Sequence, residues 1–197
     1  MMKSVALLPR KADATRPAFH AYYESNHAPL ALKHFPFAKY VRNHLAPETP
    51  GDLGFDTISE FWSRDFAKIR ELMAGEIGAV MRADEAKFMG KNICSSSSEE
   101  HLLRGIPRQS DAGAVKTALL LKRAGGPSEG TLKTWGAALA ADRVNLDLLS
   151  PWPGGIWPFD AIAWIWNPHG ALGAPPAGTT LWATVSVKAH ETSLDTR

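Results

Sequence analysis

The run Ser4-Val5-Ala6-Leu7-Leu8-Pro9-Arg10-Lys11 finds an echo 112 positions later in Lys116-Thr117-Ala118-Leu119-Leu120-Leu121-Lys122-Arg123. In both places an apolar, strand-like segment meets basic residues, and a turn segment and a helix-like stretch follow. A chain with an internal repeat folds as similar units that bury their apolar faces together. Aromatic usage divides along the same line. Up to Asp111 the chain holds seven of its eight Phe, all three Tyr and one of its seven Trp, and the other six Trp follow. Between the halves, Arg104 to Gly113 is polar and carries two Gly and a Pro, the composition of a linker. The sequence therefore predicts a unit over 1–103, a linker over 104–113 and a degenerate second unit over 114–197.

Within the first unit the pattern predicts a strand over 3–9 and a helix from about Thr15, an N-cap followed by Pro17 near the helix start. Strands over 38–46 and 56–62, a helix after a Ser63 cap and a strand over 89–97 complete the order β-α-β-β-α-β. That is the split βαβ, or ferredoxin-like, unit. The second unit offers a strand over 114–122, a helix over 128–141 and strands near 143–149, 160–166 and 180–189. Its second helix is missing, because Pro and Gly crowd residues 168–177. Two four-stranded antiparallel sheets, each with an apolar face free of helices, are expected to face each other within one chain. The missing helix leaves one outer face of the second sheet thin, so a homodimer of the fused pair is a further expectation.

Composition narrows the function classes. Lys+Arg 22 against Asp+Glu 20 gives a net charge of +2, without the basic excess that nucleic acid or an anionic membrane surface demands. The single cysteine, Cys94, excludes an internal disulfide framework and any multi-thiolate metal site. No segment approaches the roughly 20 apolar residues of a spanning helix. Met1-Met2-Lys3 and Ser4 to Leu8 resemble the start of a signal peptide, but Pro9, Arg10 and Lys11 end the apolar run too early. A soluble cytoplasmic protein is expected.

Chemistry concentrates in Phe19-His20-Ala21-Tyr22-Tyr23-Glu24-Ser25-Asn26-His27-Ala28-Pro29-Leu30. At helical spacing Phe19, Tyr22, Tyr23, Asn26 and Leu30 share one face, with His27 on its shoulder. Pro29 has no N–H for the carbonyl of Ser25, so the helix should kink or restart around 26–29 and re-aim the side chains there. His20, His27 and His34 recur every seven residues, but seven residues rise about 10.5 Å along a helix, too far for a shared metal ion. In the next strand Tyr40, Arg42 and His44 share one face and Val41, Asn43 and Leu45 the other. With the apolar set turned toward the helices, the polar set would face an opposite cavity, a usable place for proton transfer.

These pieces, Phe19 to Tyr23, Asn26-His27-Ala28-Pro29-Leu30 and Tyr40-Val41-Arg42-Asn43-His44, resemble the EthD family of the dimeric α+β barrel superfamily, over about residues 3–100. The resemblance implies that two ferredoxin-like units pair into a barrel around a ligand pocket, here as a tandem repeat fused in one chain. The second half lacks the His-Ala-Pro motif, so one competent cleft is expected rather than two. The resemblance also implies chemistry without a cofactor: cyclase, dehydratase or anthrone-type oxygenase action on an apolar, oxygenated, polyketide-like ring compound. His27 or His44 would be the general base or acid, Tyr23 would position or donate hydrogen bonds, and Arg42 would stabilise developing negative charge. Tyr40, Trp62 and Asn26 complete the candidate ligand contacts, with no metal and a small-molecule substrate as the partner. Two other readings stand beside this one. The protein could be a non-catalytic ligand binder walled by Trp152, Trp157, Trp164 and Trp166, or a haem binder with a histidine on iron.

Overall fold

Alternation of period two carries the chain into β1 (Met2–Leu8), whose Lys3, Val5 and Leu7 point one way and Ser4, Ala6 and Leu8 the other. The computed structural model describes residues 1–107, 110–123, 128–152 and 157–193. After β1, Thr15 accepts from the Ala18 amide at 3.3 Å and caps α1 (Arg16–Tyr22), where Pro17 sits in the first turn. A π-helical turn (Tyr23–His27) and α2 (Ala28–His34) continue the helix to β2 (Phe37–Leu45). Then come β3 (Thr57–Ser63), α3 (Phe66–Ala74), α4 (Glu76–Phe88) and β4 (Cys94–Arg104). The second half gives β5 (Val115–Arg123), α5 (Glu129–Ala138), β6 (Ala141–Pro151), β7 (Ala161–Pro168) and β8 (Thr179–Ser193).

The eight strands close into one antiparallel barrel in the order β1-β3-β2-β8-β5-β7-β6-β4. Read by halves, the order is β4-β1-β3-β2 and β8-β5-β7-β6, the same ferredoxin-like arrangement twice. The two sheets do face each other, and their edges also join, β2 to β8 and β4 to β6. Edge pairing satisfies backbone groups that two separate sheets would leave open. Among the described residues no helix forms between β7 and β8, in keeping with the Pro and Gly content there.

The barrel faces shift the repeat by one position. Lys3 and Lys116 both point inward, so Lys3 answers to Lys116, whereas alignment by identity pairs Lys116 with the outward Ser4. A one-residue slip exchanges the two faces of a strand. With the corrected register the halves repeat a stack. Trp62 lies between Lys3 at 4.6 Å and Lys39 at 5.0 Å, and Trp166 between Lys116 at 5.0 Å and Arg143 at 4.1 Å.

Other boundaries differ from expectation for local reasons. Ser63 ends β3 rather than capping a helix; Asp65 is the cap, accepting from the Lys68 amide at 2.8 Å. The serine run 95–98, expected at a strand end running into a polar loop, lies inside β4, paired with both β1 and β6. Within the span expected as a linker, Asp111 is buried against Arg143 at 3.3 Å, while 108–109 lie outside the described residues. The helix expected over 128–141 ends at Ala138, where Leu139 turns extended and hands the chain to β6.

Val5, Leu7, Leu45, Ile58, Leu120, Ile162, Trp164 and Val187 form the apolar part of the barrel interior. Outside it, α5 packs Leu132 over Leu121, Leu146 and Ala163. The helices of the first half pack on Ala6, Leu8, Tyr40 and Phe61. Gly78 holds α4 close to the end of α3, since a Cβ there would lie 1.8 Å from the Met73 carbonyl oxygen. Gly78→Ala is therefore expected to destabilise by about 1–3 kcal/mol in denaturant unfolding. An unchanged midpoint would mean that the two helices separate freely.

Candidate active site

Pro29 falls in the first turn of α2, and the turn before it widens: the Ala28 amide donates to the Tyr23 carbonyl, five residues back. The predicted kink is thus a π-turn. It brings Tyr23 and His27 side by side onto the sheet, both buried, with ring centroids 5.3 Å apart. Glu24 leaves on another side toward β2, and Asn26 stays exposed, bonded to Tyr22 and Ser25.

Below the π-turn the Tyr23 hydroxyl meets that of Tyr40 at 2.6 Å and that of Ser59 at 2.8 Å. Burial pushes the Tyr23 phenol up to about 12 and that of Tyr40 well above its usual value, so both are neutral at pH 7. On the other side of His27, its Nδ1 lies 2.9 Å from Oδ2 of Asp84 in α4. Burial alone would raise the Asp84 carboxyl. Donation from the Tyr22 hydroxyl, His27 and Lys87 outweighs that effect and holds it below the usual range. Burial lowers the His27 imidazole, with Asp84 pulling the other way. A neutral imidazole beside a carboxylate must carry its proton on Nδ1, which leaves Nε2 as a base.

A cavity of about 480 Å³ opens between this roof and the sheet. Tyr23, His27 and Tyr40 line it with Phe35, Phe37, Phe61, Met73, Met81 and Met89, an apolar space of ligand size. The cavity offers one imidazole, His27, and Asp84 gives it the support that ligating histidines commonly have. A haem iron in the cavity would have to take that nitrogen.

The structure brings Tyr23, His27 and Tyr40 together and places the other candidates elsewhere. The face of β2 carrying Tyr40, Arg42 and His44 turns toward the helices, the reverse of the expected orientation. Val41 and Leu45 take the barrel interior instead. Arg42 and His44 both bind Glu24, through Nη2 at 2.7 Å and Nε2 at 2.8 Å, and neither borders the cavity. Trp62 points into the barrel, where its Nε1 donates to Glu100 at 3.2 Å. Of the tryptophans expected to wall a cavity, Trp152 does so, Trp157 packs on Phe159, and Trp164 and Trp166 fill the barrel. Sequence reasoning misses Asp84. Its signal is a carboxylate on the buried stripe Met81–Asp84–Phe88 of α4.

Arg42, His44 and Glu24 form a second cluster over the β2–β8 seam. His20 stacks on His44 at 4.1 Å, and His190 of β8 lies 3.8 Å from Glu24. Burial and His44 lower the His20 imidazole to about 4. Burial would raise the Glu24 carboxyl, but His44 and Arg42 hold it down to about 2. A depressed carboxylate stabilises the fold above its unfolded pKa, and the gain disappears as pH falls through the folded value. Glu24→Gln should thus be less stable at neutral pH, and its stability should converge on wild type between about 4.5 and about 2. Acid titration of both proteins measures this, and parallel curves would discard the linkage.

A closed α+β barrel made of two ferredoxin-like halves in one chain, with a helix-roofed cavity over the first half, defines the class. Within it, residues 11–92, in the first half of the barrel, match the EthD domain. An anthrone oxidase-like protein of known structure shares the whole fold at 9% identity, with a TM-score of 0.62 over 99% of this chain and 94% of that one. An ethyl tert-butyl ether D (EthD) family protein of Bacillus halodurans is 24% identical and aligns over its full length with 51% of this chain, at a TM-score of 0.40. No curated protein matches the chain.

Proposed function

We propose that this EthD-domain protein is a cofactor-independent enzyme that moves protons on an apolar, oxygenated ring compound bound in the helix-roofed cavity. One observation carries the reading. A neutral imidazole, oriented by a carboxylate, opens onto an apolar space beside a pair of neutral phenols. His27 Nε2 removes a proton from carbon or oxygen of the substrate, and Asp84 stabilises the imidazolium that results. The Tyr23–Tyr40 pair supplies a hydroxyl that can donate to a substrate oxygen. Proton removal of this kind opens cyclisation, dehydration and oxygenation alike. The barrel shared with the anthrone oxidase-like protein makes fused-ring ketones and phenols the first compounds to try.

Thermal-shift screening of such compounds, followed by assay of each hit for conversion, tests the reading. Wild type should be stabilised by compounds it converts, and Ala31→Phe, which fills the cavity from α2, should not respond to them. Binding without conversion would favour a sequestering protein. A Soret shift on titration with haem would favour the haem reading.

A further inference from the structure

Glu85 follows Asp84 on α4, and its side chain lines the same cavity as His27. Asp84 is surrounded by donors: the Tyr22 hydroxyl at 2.8 Å, His27 at 2.9 Å and Lys87 at 3.2 Å. Glu85 is half-buried yet has no side-chain hydrogen bond or ion pair among the described residues. A carboxyl held in apolar surroundings without a partner keeps its proton more readily than one in water. Burial raises Glu85 accordingly, with Arg82 opposing and Asp84 adding to the rise. The other titratable groups of the lining are Tyr23 and His27 from the π-turn, Tyr40 from β2 and Arg70 from α3. The cavity is therefore lined both by a neutral base and by a carboxyl that has no hydrogen-bond or ion-pair partner among the described residues.

We propose that Glu85 is a second catalytic residue of this cavity, giving its proton to a carbonyl oxygen of the substrate while His27 takes one from the adjacent carbon. The substrate class this defines is an apolar ring ketone with an enolisable C–H bond. The proposal rests on the reading of His27 as a base. In the step, the C–H bond breaks toward Nε2 and its electron pair becomes the new C=C bond. The carbonyl π pair takes the Glu85 proton and becomes an O–H bond. His27 is left as imidazolium and Glu85 as carboxylate, the sum of charge is unchanged, and return of both protons restores the protein. No oxidant or reductant enters. Polarising the carbonyl as the carbon loses its proton avoids a full enolate charge in a space with little water.

The test follows solvent deuterium uptake into β-tetralone by NMR, with wild type, Glu85→Gln, Glu85→Asp and His27→Asn. Wild type should catalyse exchange with a rate that falls at low pH, as His27 is protonated, and again at higher pH, as Glu85 ionises. Glu85→Gln should slow exchange by about 10²–10⁴-fold and lose the alkaline limb. Its fold should survive, since no protein partner is lost, and Glu85→Asp should recover part of the rate. Wild-type exchange with an unchanged alkaline limb in Glu85→Gln would overturn the role of Glu85 and leave that of His27 standing. Absence of exchange in wild type, or full exchange in His27→Asn, would overturn the reading beneath it and this proposal together.

Discussion

Replacing His27 by Asn is expected to lower turnover by about 10²–10⁴-fold with the fold intact, the usual contribution of a positioned general base. Asn is close to imidazole in reach on the Nδ1 side and can still donate to Asp84, so the buried carboxylate keeps a partner. Nothing replaces Nε2. The pH profile carries further information, because burial lowers the His27 imidazole while Asp84 raises it. Activity should be lost as pH falls through that lowered value. Asp84→Asn removes the upward pull, so the acid limb should move to still lower pH while the rate falls. Native-like circular dichroism with wild-type turnover in His27→Asn would remove His27 from the mechanism. His44→Asn is the control, since His44 lies on Glu24 and Thr57 outside the cavity.

The second large effect lies inside the barrel. Lys3 Nζ sits 2.7 Å from Asp147, 2.7 Å from Glu60 and 3.1 Å from Glu100, and is almost fully buried. Burial disfavours its charge, but Asp147, Glu60 and Glu100 more than offset that, and the ammonium is held well above its ordinary value. Lys3→Met leaves Asp147 without its cation in a site of no solvent exposure, where breaking a buried pair from one side costs about 3–5 kcal/mol. Lys116, 3.0 Å from Glu60 on its other oxygen, limits the damage at that carboxylate. Denaturant unfolding monitored by the barrel tryptophans measures the loss. A change below about 1 kcal/mol would mean that water or rearrangement replaces the ammonium.

These two sites differ in how much the sequence discloses. A proline two residues past an imidazole, on a helix with an apolar stripe, has few local solutions, so the break near His27 is legible from the residues themselves. Tyr40 is legible as a companion, but the side it faces is not. Arg42 and His44 look like residues of a cavity opposite the helices until the barrel closes, gives its interior to Val41 and Leu45, and turns the polar set toward the helices. Lys3, Glu60 and Asp147 are invisible for the opposite reason. Their partners lie on different strands and in different halves, and in composition they count only toward a near-zero net charge. Ser95 to Ser98 reads as the fading end of a strand, because a strand is expected to stay apolar, whereas β4 continues to Arg104. Paired on both sides within β4, these residues satisfy their backbones whatever their side chains prefer.

The β2–β8 and β4–β6 seams join strands of the same molecule. Barrels assembled from two chains come apart on dilution, because their seams are binding equilibria. Here the tether fixes the effective concentration of one half around the other, so closure is indifferent to how much protein is present. A substitution also appears once around the barrel axis rather than twice. The half carrying His27 and the half carrying the six tryptophans can therefore drift apart in role while sharing one wall.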